Sequence, residues 1–200
     1  MLKRAFDVAL SGAGLLISAP LWLLIAAAIT LEDGGPVLFV QNRVGLGGTP
    51  FHALKFHSMV PYASSLPPHQ AGEDDPRVTR VGRLLRATAM DELPQLYNIF
   101  RGDMSFVGPR PLMPGEIEVR GSGELVPLES IPGYAARHSV RPGLTGLSQV
   151  YAPRDTPRAR KFHLDAIYVR NASFCLDLFL VAVSFWITFR GRWEVRVRKF

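Results

Sequence analysis

An uncharged, mostly apolar stretch near the start of the chain, residues 8–31, reads VALSGAGLLISAPLWLLIAAAITL. About 20 apolar residues cross the roughly 30 Å core of a bilayer as a helix, so this stretch is long enough to span it. Pro20 interrupts the pattern, because proline lacks an N–H and kinks or breaks a helix. The arms on either side, residues 6–17 and 21–31, are each about 16–18 Å long, and neither spans alone. Two alternatives stay open: a kinked spanning helix, or a helix that bends back and leaves both ends on one face.

The composition is that of a folded, basic chain. The 200 residues include 23 Lys and Arg against 17 Asp and Glu, a formal net charge of +6, and 48% of them are hydrophobic. The hydrophobic content excludes a disordered chain, and the single cysteine, Cys175, excludes a disulfide framework. Positive charge suits nucleic acid or an anionic membrane surface. No recognised nucleic-acid motif is present, so we do not expect nucleic acid as a partner.

The remainder of the chain predicts an α+β fold that is mostly helical. Two β-favouring runs, residues 37–44 and 51–58, flank a glycine-rich loop and predict a β-hairpin. Residues 77–101 and 158–168 predict helices, whereas residues 131–148 contain repeated Pro and Gly and predict mostly loop. We therefore expect a compact domain built around a hairpin and several helices.

The C-terminal part carries apolar and basic segments that suit a membrane interface. Residues 176–189 are mostly apolar and too short to span, so they predict an interfacial or core helix. The tail, residues 190–200, mixes basic and apolar side chains, a composition suited to lipid headgroups. Residues 61–76 are rich in Pro, Ser and acidic side chains and predict an exposed loop.

The tetrapeptide Asp91-Glu92-Leu93-Pro94 is the strongest candidate for chemistry. Proline is tolerated in the first turn of a helix, so a helix is expected to begin close to Asp91. The helix dipole would then lower the pKa of the aspartate and keep it ionised, as a carboxylate nucleophile or metal ligand requires. The alternative is ordinary helix capping, since Asp is a common N-cap and Glu a common first-turn residue.

Arginines surround this carboxylate pair in the sequence. Four of them precede it at intervals of three residues, and two more sit beside prolines, which reduces the entropy lost when a side chain binds an anion. Guanidinium groups match phosphate oxygens, and Mg²⁺ is held by one or two carboxylates together with substrate phosphates. The pattern therefore favours a diphosphate site with a metal over a solvated basic face or simple turns. The arginines are Arg77, Arg80, Arg83, Arg86, Arg110 and Arg141.

Ordered motifs run along nearly the whole chain. They are KRAFD (residues 3–7), SAP (18–20), QNRVG (41–45), KFHSM (55–59), MDELPQLYN (90–98), RGDMSFVGPRP (101–111), RPGLTG (141–146) and LDAIY (164–168). Together they resemble the motifs of the bacterial sugar transferases, the small monotopic phosphoglycosyl transferases that begin glycan assembly on a polyprenol phosphate. Such a number of motifs in the same order makes accidental similarity very improbable.

The resemblance implies a membrane arrangement. It favours a re-entrant helix-break-helix over residues 1–35, hinged at Ser18 and Pro20, rather than a simple span. A catalytic domain, residues 36–200, with interfacial amphipathic helices would then lie on the cytoplasmic face of the bacterial inner membrane.

The resemblance also implies a reaction. A sugar 1-phosphate passes from a UDP-sugar to a polyprenol phosphate such as undecaprenyl phosphate, with release of UMP, in a ping-pong mechanism through an aspartyl-phosphosugar. Asp91 would be the nucleophile, and Glu92 would join it at Mg²⁺. Phosphates or the nucleotide would be bound by Lys55, Arg86, Arg110 and Arg141.

Several points stay open at this level. The family usually has Arg at the position of His57, and residues 151–154 depart from its pattern, which affects recognition of the sugar more than the type of reaction. Membrane lipid is an expected partner, downstream glycosyltransferases are a further candidate, and an oligomer is compatible with the sequence. The alternative function is a non-catalytic adaptor that binds anionic lipid or a partner glycosyltransferase at the membrane surface.

Overall fold

The computed structural model describes residues 1–60, 75–121, 123–153 and 155–189. The helices in this part of the chain are α1 (Leu2–Asp33), α2 (Arg80–Ala87), α3 (Gln95–Arg101), α4 (Tyr134–Arg137), α5 (Leu147–Tyr151), α6 (Arg158–Asn171) and α7 (Phe174–Phe189). The strands are β1 (Leu38–Val44), β2 (Pro50–Phe56), β3 (Ser105–Val107), β4 (Ile117–Val119), β5 (Leu125–Pro127) and β6 (Gly143–Thr145). The α+β, mostly helical prediction is confirmed. Most of the predicted loop at 61–76 and the whole basic tail, 190–200, lie outside the described residues.

Helix α1 packs along the domain through most of its length. Asp7, Ser11, Ile25 and Ile29 are buried and recur at helical spacing on one face. By length and composition α1 is the one helix in the described ranges that could cross a membrane. Its opposite face is apolar and exposed, with Leu16, Ile17, Leu23, Leu24 and Leu31 all more than half accessible.

Both ends of α1 are fastened to the same domain. Near its start, Lys3 Nζ lies 2.6 Å from Asp177 Oδ2 in α7. At its end, the Glu32 carboxylate accepts hydrogen bonds from the backbone N–H groups of Arg80 (2.7 Å) and Val81 (2.9 Å) at the start of α2. These contacts fix the two ends of an apolar helix to one globular body.

The helix is not interrupted at Pro20, and the predicted re-entrant bend there stays a prediction. Helix α1 runs from Leu2 to Asp33 with Pro20 inside it. A proline removes one backbone hydrogen bond, and the helix continues because its other bonds and its packing remain. Trp22 Nε1 donates to Ser18 Oγ at 3.1 Å across the proline. The division into residues 1–35 and 36–200 stays a prediction.

The predicted β-hairpin is confirmed. Strands β1 and β2 pair antiparallel, with Leu38 opposite Phe56 and Val44 opposite Pro50. One face of the hairpin packs through Phe56 against Ile25 and Ile29 of α1 and Leu85 of α2. A second apolar cluster joins the hairpin to α3 and comprises Phe51, Ala53, Leu96, Ile99 and Met104.

The region predicted to be mostly loop, residues 131–148, contains two short elements that organise the domain. These are the short helix α4 and the strand β6, which the prediction of mostly loop does not specify. Strand β6 pairs in parallel with β3, Ser105 opposite Gly143 and Val107 opposite Thr145. The backbones approach so closely that a Cβ on Gly143 would overlap the backbone N of Gly108. Glycine is therefore required at this crossing.

Both predicted C-terminal helices are present, with slightly longer bounds, and they pack into the core. Helix α7 contributes Leu180 and Ile187 to a buried cluster with Tyr168 of α6. Its outer face leaves Leu178, Phe179, Phe185 and Trp186 exposed. The helix is therefore apolar on both its packed and its outer faces.

Candidate active site

The carboxylates of Asp91 and Glu92 lie in a short 3₁₀ turn, Met90–Glu92, and not inside an α-helix. The turn follows Ala89, which has a positive φ of 56°. Helix α3 begins at Gln95, with Pro94 as its N-cap. The sequence expectation that a helix starts close to Asp91 is thus wrong by several residues, because the 3₁₀ turn comes first.

Glu92 is held by two cations. Lys55 Nζ lies 2.7 Å and Arg110 Nη2 lies 2.9 Å from the same atom, Glu92 Oε1. Burial by itself raises the pKa of the Glu92 carboxyl, but the charges of Arg110 and Lys55 and the hydrogen bonds that they donate outweigh it. The pKa therefore lies well below its ordinary value, and Glu92 is ionised.

The carboxylate of Asp91 makes fewer polar contacts than that of Glu92. Its nearest cation is Lys55, with Nζ 3.9 Å from Asp91 Oδ2, and within the described part of the chain no donor hydrogen-bonds to its carboxylate. Burial raises the pKa of Asp91; the charge of Lys55 offsets part of this rise and that of Glu92 adds to it. The expected lowering of the pKa by a helix dipole is therefore wrong, since the side chain is only 14% exposed and no helix starts there.

Of the four regularly spaced arginines, Arg86 is the one whose charge reaches the carboxylates. It lies in the last turn of α2, its Nε donates to Ser58 Oγ at 3.1 Å, and its charge lowers the pKa of Asp91. Arg77 instead pairs with Asp75, Nη2 to Oδ2 at 2.6 Å. The regular spacing of these arginines therefore does not bring them all to one place.

The other predicted phosphate ligands are divided between two locations. Lys55 on β2 and Arg110 after β3 meet at Glu92. Arg141 is exposed, and its Nε donates to the carbonyl of Gly102 at 2.8 Å, at the C-terminal end of α3. Asp91 precedes the N-terminal end of that helix, so the structure does not bring Arg141 to the carboxylates. Its phosphate-binding role stays a prediction.

The structure adds Arg43 and Gln95 to the candidate site. Both line a small cavity with Lys55, Glu92 and Arg110. Burial, followed by the charge of Arg110, lowers the pKa of Arg43 to about 10. The signal for Arg43 was present in the sequence, because side chains two residues apart share a face of a strand, and the pairing of Phe39 with Lys55 puts Arg43 on the same hairpin face as Lys55.

The residues present fit a hard divalent cation that takes some of its ligands from the protein and the others from a bound substrate. Among the described residues, Asp91 and Glu92 are the carboxylates of this site, and the same part of the chain holds no group of three or more His, Cys, Asp or Glu suited to a metal. Mg²⁺ is commonly bound by one or two carboxylates with substrate phosphates and water as the other ligands. The cations of the site, Lys55, Arg86, Arg110 and Arg43, suit the oxygens of a phosphate-bearing ligand.

Comparison with known proteins defines the class. The family model described as bacterial sugar transferase matches residues 1–191. The chain therefore belongs to the bacterial sugar transferase family, as the sequence motifs indicated.

Three individual relatives show which members of the family the chain is similar to. The chain is 44% identical over 188 residues to undecaprenyl-phosphate glucose phosphotransferase of Komagataeibacter xylinus, covering 91% of this chain and 35% of that protein. It is 44% identical over 184 residues to UDP-glucose:undecaprenyl-phosphate glucose-1-phosphate transferase of Caulobacter vibrioides, covering 90% of this chain and 66% of that protein. It is 39% identical over 196 residues to exopolysaccharide production protein ExoY of Rhizobium meliloti, covering 90% and 82%. The chain thus spans between about a third and four fifths of these proteins.

Proposed function

We propose that this protein transfers a sugar 1-phosphate from a UDP-sugar to a polyprenol phosphate, most simply undecaprenyl phosphate, and releases UMP. The observation that carries the proposal is the carboxylate of Asp91, which accepts no hydrogen bond from the described residues while cations surround it. Membership of the bacterial sugar transferase family supports the type of reaction. The name of the Caulobacter relative makes UDP-glucose the first donor to test, and the name of the Rhizobium relative makes exopolysaccharide synthesis the first pathway to test.

The reaction proceeds in two displacements at one phosphorus. A carboxylate oxygen of Asp91 attacks the β-phosphorus of the UDP-sugar, and the bond from that phosphorus to the bridging oxygen breaks, so that UMP leaves with the electron pair. The phosphosugar is then an acyl phosphate on Asp91. A phosphate oxygen of the polyprenol phosphate attacks the same phosphorus, forms the polyprenyl diphosphate sugar and returns the carboxylate.

The neighbouring residues stabilise charge on the transferring group. Lys55 and Arg110 are oriented by Glu92 and present their remaining donors to the phosphate oxygens. Arg86 and Arg43 add positive charge at the edge of the cavity. Mg²⁺ held by Asp91 and Glu92 would neutralise the diphosphate of the donor. Because both displacements use the same phosphate subsite, a small domain suffices.

The proposal places the reaction at the cytoplasmic face of the bacterial inner membrane, where a soluble donor meets a lipid acceptor. Helix α1 would enter one leaflet and return, with its bend near Ser18 and Pro20. Support comes from the attachment of both ends of α1 to one domain and from the exposed apolar residues between them. The exposed apolar face of α7 would lie at the same interface.

The experiment measures UMP release by the full chain in detergent or native membranes, with UDP-glucose, UDP-galactose and UDP-N-acetyl sugars as donors. We expect release that depends on undecaprenyl phosphate for multiple turnovers, on divalent cation, and on Asp91. A wild-type chain that binds lipid vesicles without cation and releases no UMP from any donor would contradict the proposal and favour the adaptor function.

A further inference from the structure

The main chain of the segment that carries Arg110 is held by a series of hydrogen bonds to its carbonyl groups. Each of its four consecutive carbonyl oxygens, from residue 109 to residue 112, accepts a hydrogen bond, and the donors come from three parts of the fold, β1, α4 and the start of β6. The pairs are Pro109 O with Gly143 N (3.0 Å), Arg110 O with Arg137 Nη2 (2.7 Å), Pro111 O with Arg43 Nη1 (3.1 Å) and Leu112 O with Val44 N (2.9 Å). Two of the donors are charged side chains, Arg43 and Arg137. Arg43 lines the cavity of the candidate site, and Arg137 does not.

Arg137 is a buried arginine with a buried partner. Its side chain is 3% exposed, and its Nε lies 3.0 Å from Oδ2 of Asp165, which is 2% exposed. The other oxygen of Asp165 accepts from Ser148 Oγ at 2.6 Å. The guanidinium also stacks over the ring of Phe162, 4.6 Å from its centroid. Asp165 and Phe162 of α6 thus fix the orientation of Arg137, and Ser148 of α5 fixes that of Asp165.

The two hydrogen bonds of Arg137 use different nitrogen atoms of one rigid fork. Nε meets Asp165, and Nη2 meets the carbonyl of Arg110. A planar guanidinium can make both bonds at once, whereas the single ammonium of a lysine on a flexible stem cannot reproduce the fork. Arg110 in turn contacts the carboxylate pair, because its Nη2 donates a hydrogen bond to Glu92 Oε1 at 2.9 Å.

We propose that the buried Arg137–Asp165 pair is a positioning element of the active site, which fixes the main chain at Arg110 so that its guanidinium stays beside Glu92. Pro109 and Pro111 restrict the same backbone from its two sides, so the carbonyl held by Arg137 sets the direction in which the Arg110 side chain leaves the chain. Arg137 and Asp165 do not touch the substrate. The inference rests on the proposed function, in which Arg110 stabilises the transferring phosphate.

The test is a double-mutant cycle on kcat/KM for UMP release, with wild type, R137K, R110A and the double variant, all as full chains. We expect R137K to lower kcat/KM about tenfold in the wild-type background, since misplacement by about 1 Å costs up to about a hundredfold. In the R110A background we expect R137K to lower it by less than about twofold, because the effect passes through Arg110. A merely structural loss would reduce both backgrounds by the same factor.

Two further variants complete the design. D165N removes the charge that orients Arg137 and should show the same dependence on Arg110. S148A removes only one hydrogen bond to the same aspartate, so it should lower kcat/KM less than D165N does and show the same dependence on Arg110.

The outcomes separate this inference from the proposed function. Equal losses in both backgrounds would overturn the inference, and so would a chain that fails to fold with either R137K or D165N, since the pair would then have only a structural role. Failure of the proposed function has another signature, a wild-type chain that releases no UMP.

Discussion

Replacing Arg110 with alanine tests the site against a closely matched control in the same protein. The Arg110–Glu92 pair has an N–O distance of 2.9 Å, with side chains 49% and 16% exposed. Arg101 and Asp103, at the far end of α3, also pair at 2.9 Å, with side chains 54% and 17% exposed. In both variants the acid keeps a partner, Lys55 Nζ for Glu92 and Asn98 Nδ2 for Asp103.

The two variants should therefore be equal in stability and very different in activity. Partly exposed ion pairs contribute about 0–1 kcal/mol to stability, so both melting temperatures should change little and by similar amounts. A charge-assisted hydrogen bond to a phosphate oxygen contributes about 1.5–3 kcal/mol, and about 1.4 kcal/mol corresponds to a factor of ten. We expect kcat/KM for UMP release to fall by about 10- to 150-fold in R110A and to stay within about threefold of wild type in R101A. Equal losses in the two variants, at equal stability, would refute the assignment of Arg110 to the phosphate site.

Three other perturbations follow from the structure. In K55M the pKa of Asp91 should rise further, because the Lys55 charge that lowers it is gone; the acid limb of the pH profile of kcat/KM should then move to higher pH, and an unmoved limb would contradict the electrostatic role of Lys55. G143A should lower the yield of folded protein, because the methyl group would overlap the opposing backbone, whereas G121A, with open space around it, should not; equal yields would contradict the close crossing. I17E should reduce the membrane-bound fraction in sedimentation, because Ile17 is 81% exposed on α1 and a charge at the centre of a membrane helix costs about 3 kcal/mol; an unchanged fraction would contradict lipid contact there.

The sequence predicted the local elements well, because their signals are local. The hairpin followed from two β-favouring runs around a glycine-rich loop, and α2, α3, α6 and α7 followed from helical composition. The β3–β6 pair could not be found in this way, since each strand has three residues and the partners are far apart in the chain. Only tertiary structure brings Ser105 and Gly143 together.

The candidate site was predicted in most of its members and not in its electrostatics. Asp91, Glu92, Lys55, Arg86 and Arg110 were singled out and lie near one another, whereas Arg141 lies elsewhere and Arg43 and Gln95 were not foreseen. The roles of all these residues stay predictions. The pKa of Asp91 shifts in the opposite direction from the expectation, because burial, which a sequence does not display, outweighs the neighbouring charges. Arg137, which we propose acts through the backbone, lies in none of the motifs, and the motif LDAIY that contains Asp165 does not reveal that Arg137 is its partner.

The central claim is that Asp91 carries the phosphosugar between donor and acceptor. The most direct measurement is the intact mass of the full chain, quenched with acid shortly after mixing with UDP-glucose and divalent cation but no polyprenol phosphate, followed by peptide mapping. We expect a mass increase of one hexose phosphate on the peptide that contains Asp91, accompanied by about one equivalent of UMP, and no increase in D91N. A wild-type chain that stays unmodified, and that forms UMP only when the acceptor is present, would show direct transfer and contradict the covalent mechanism.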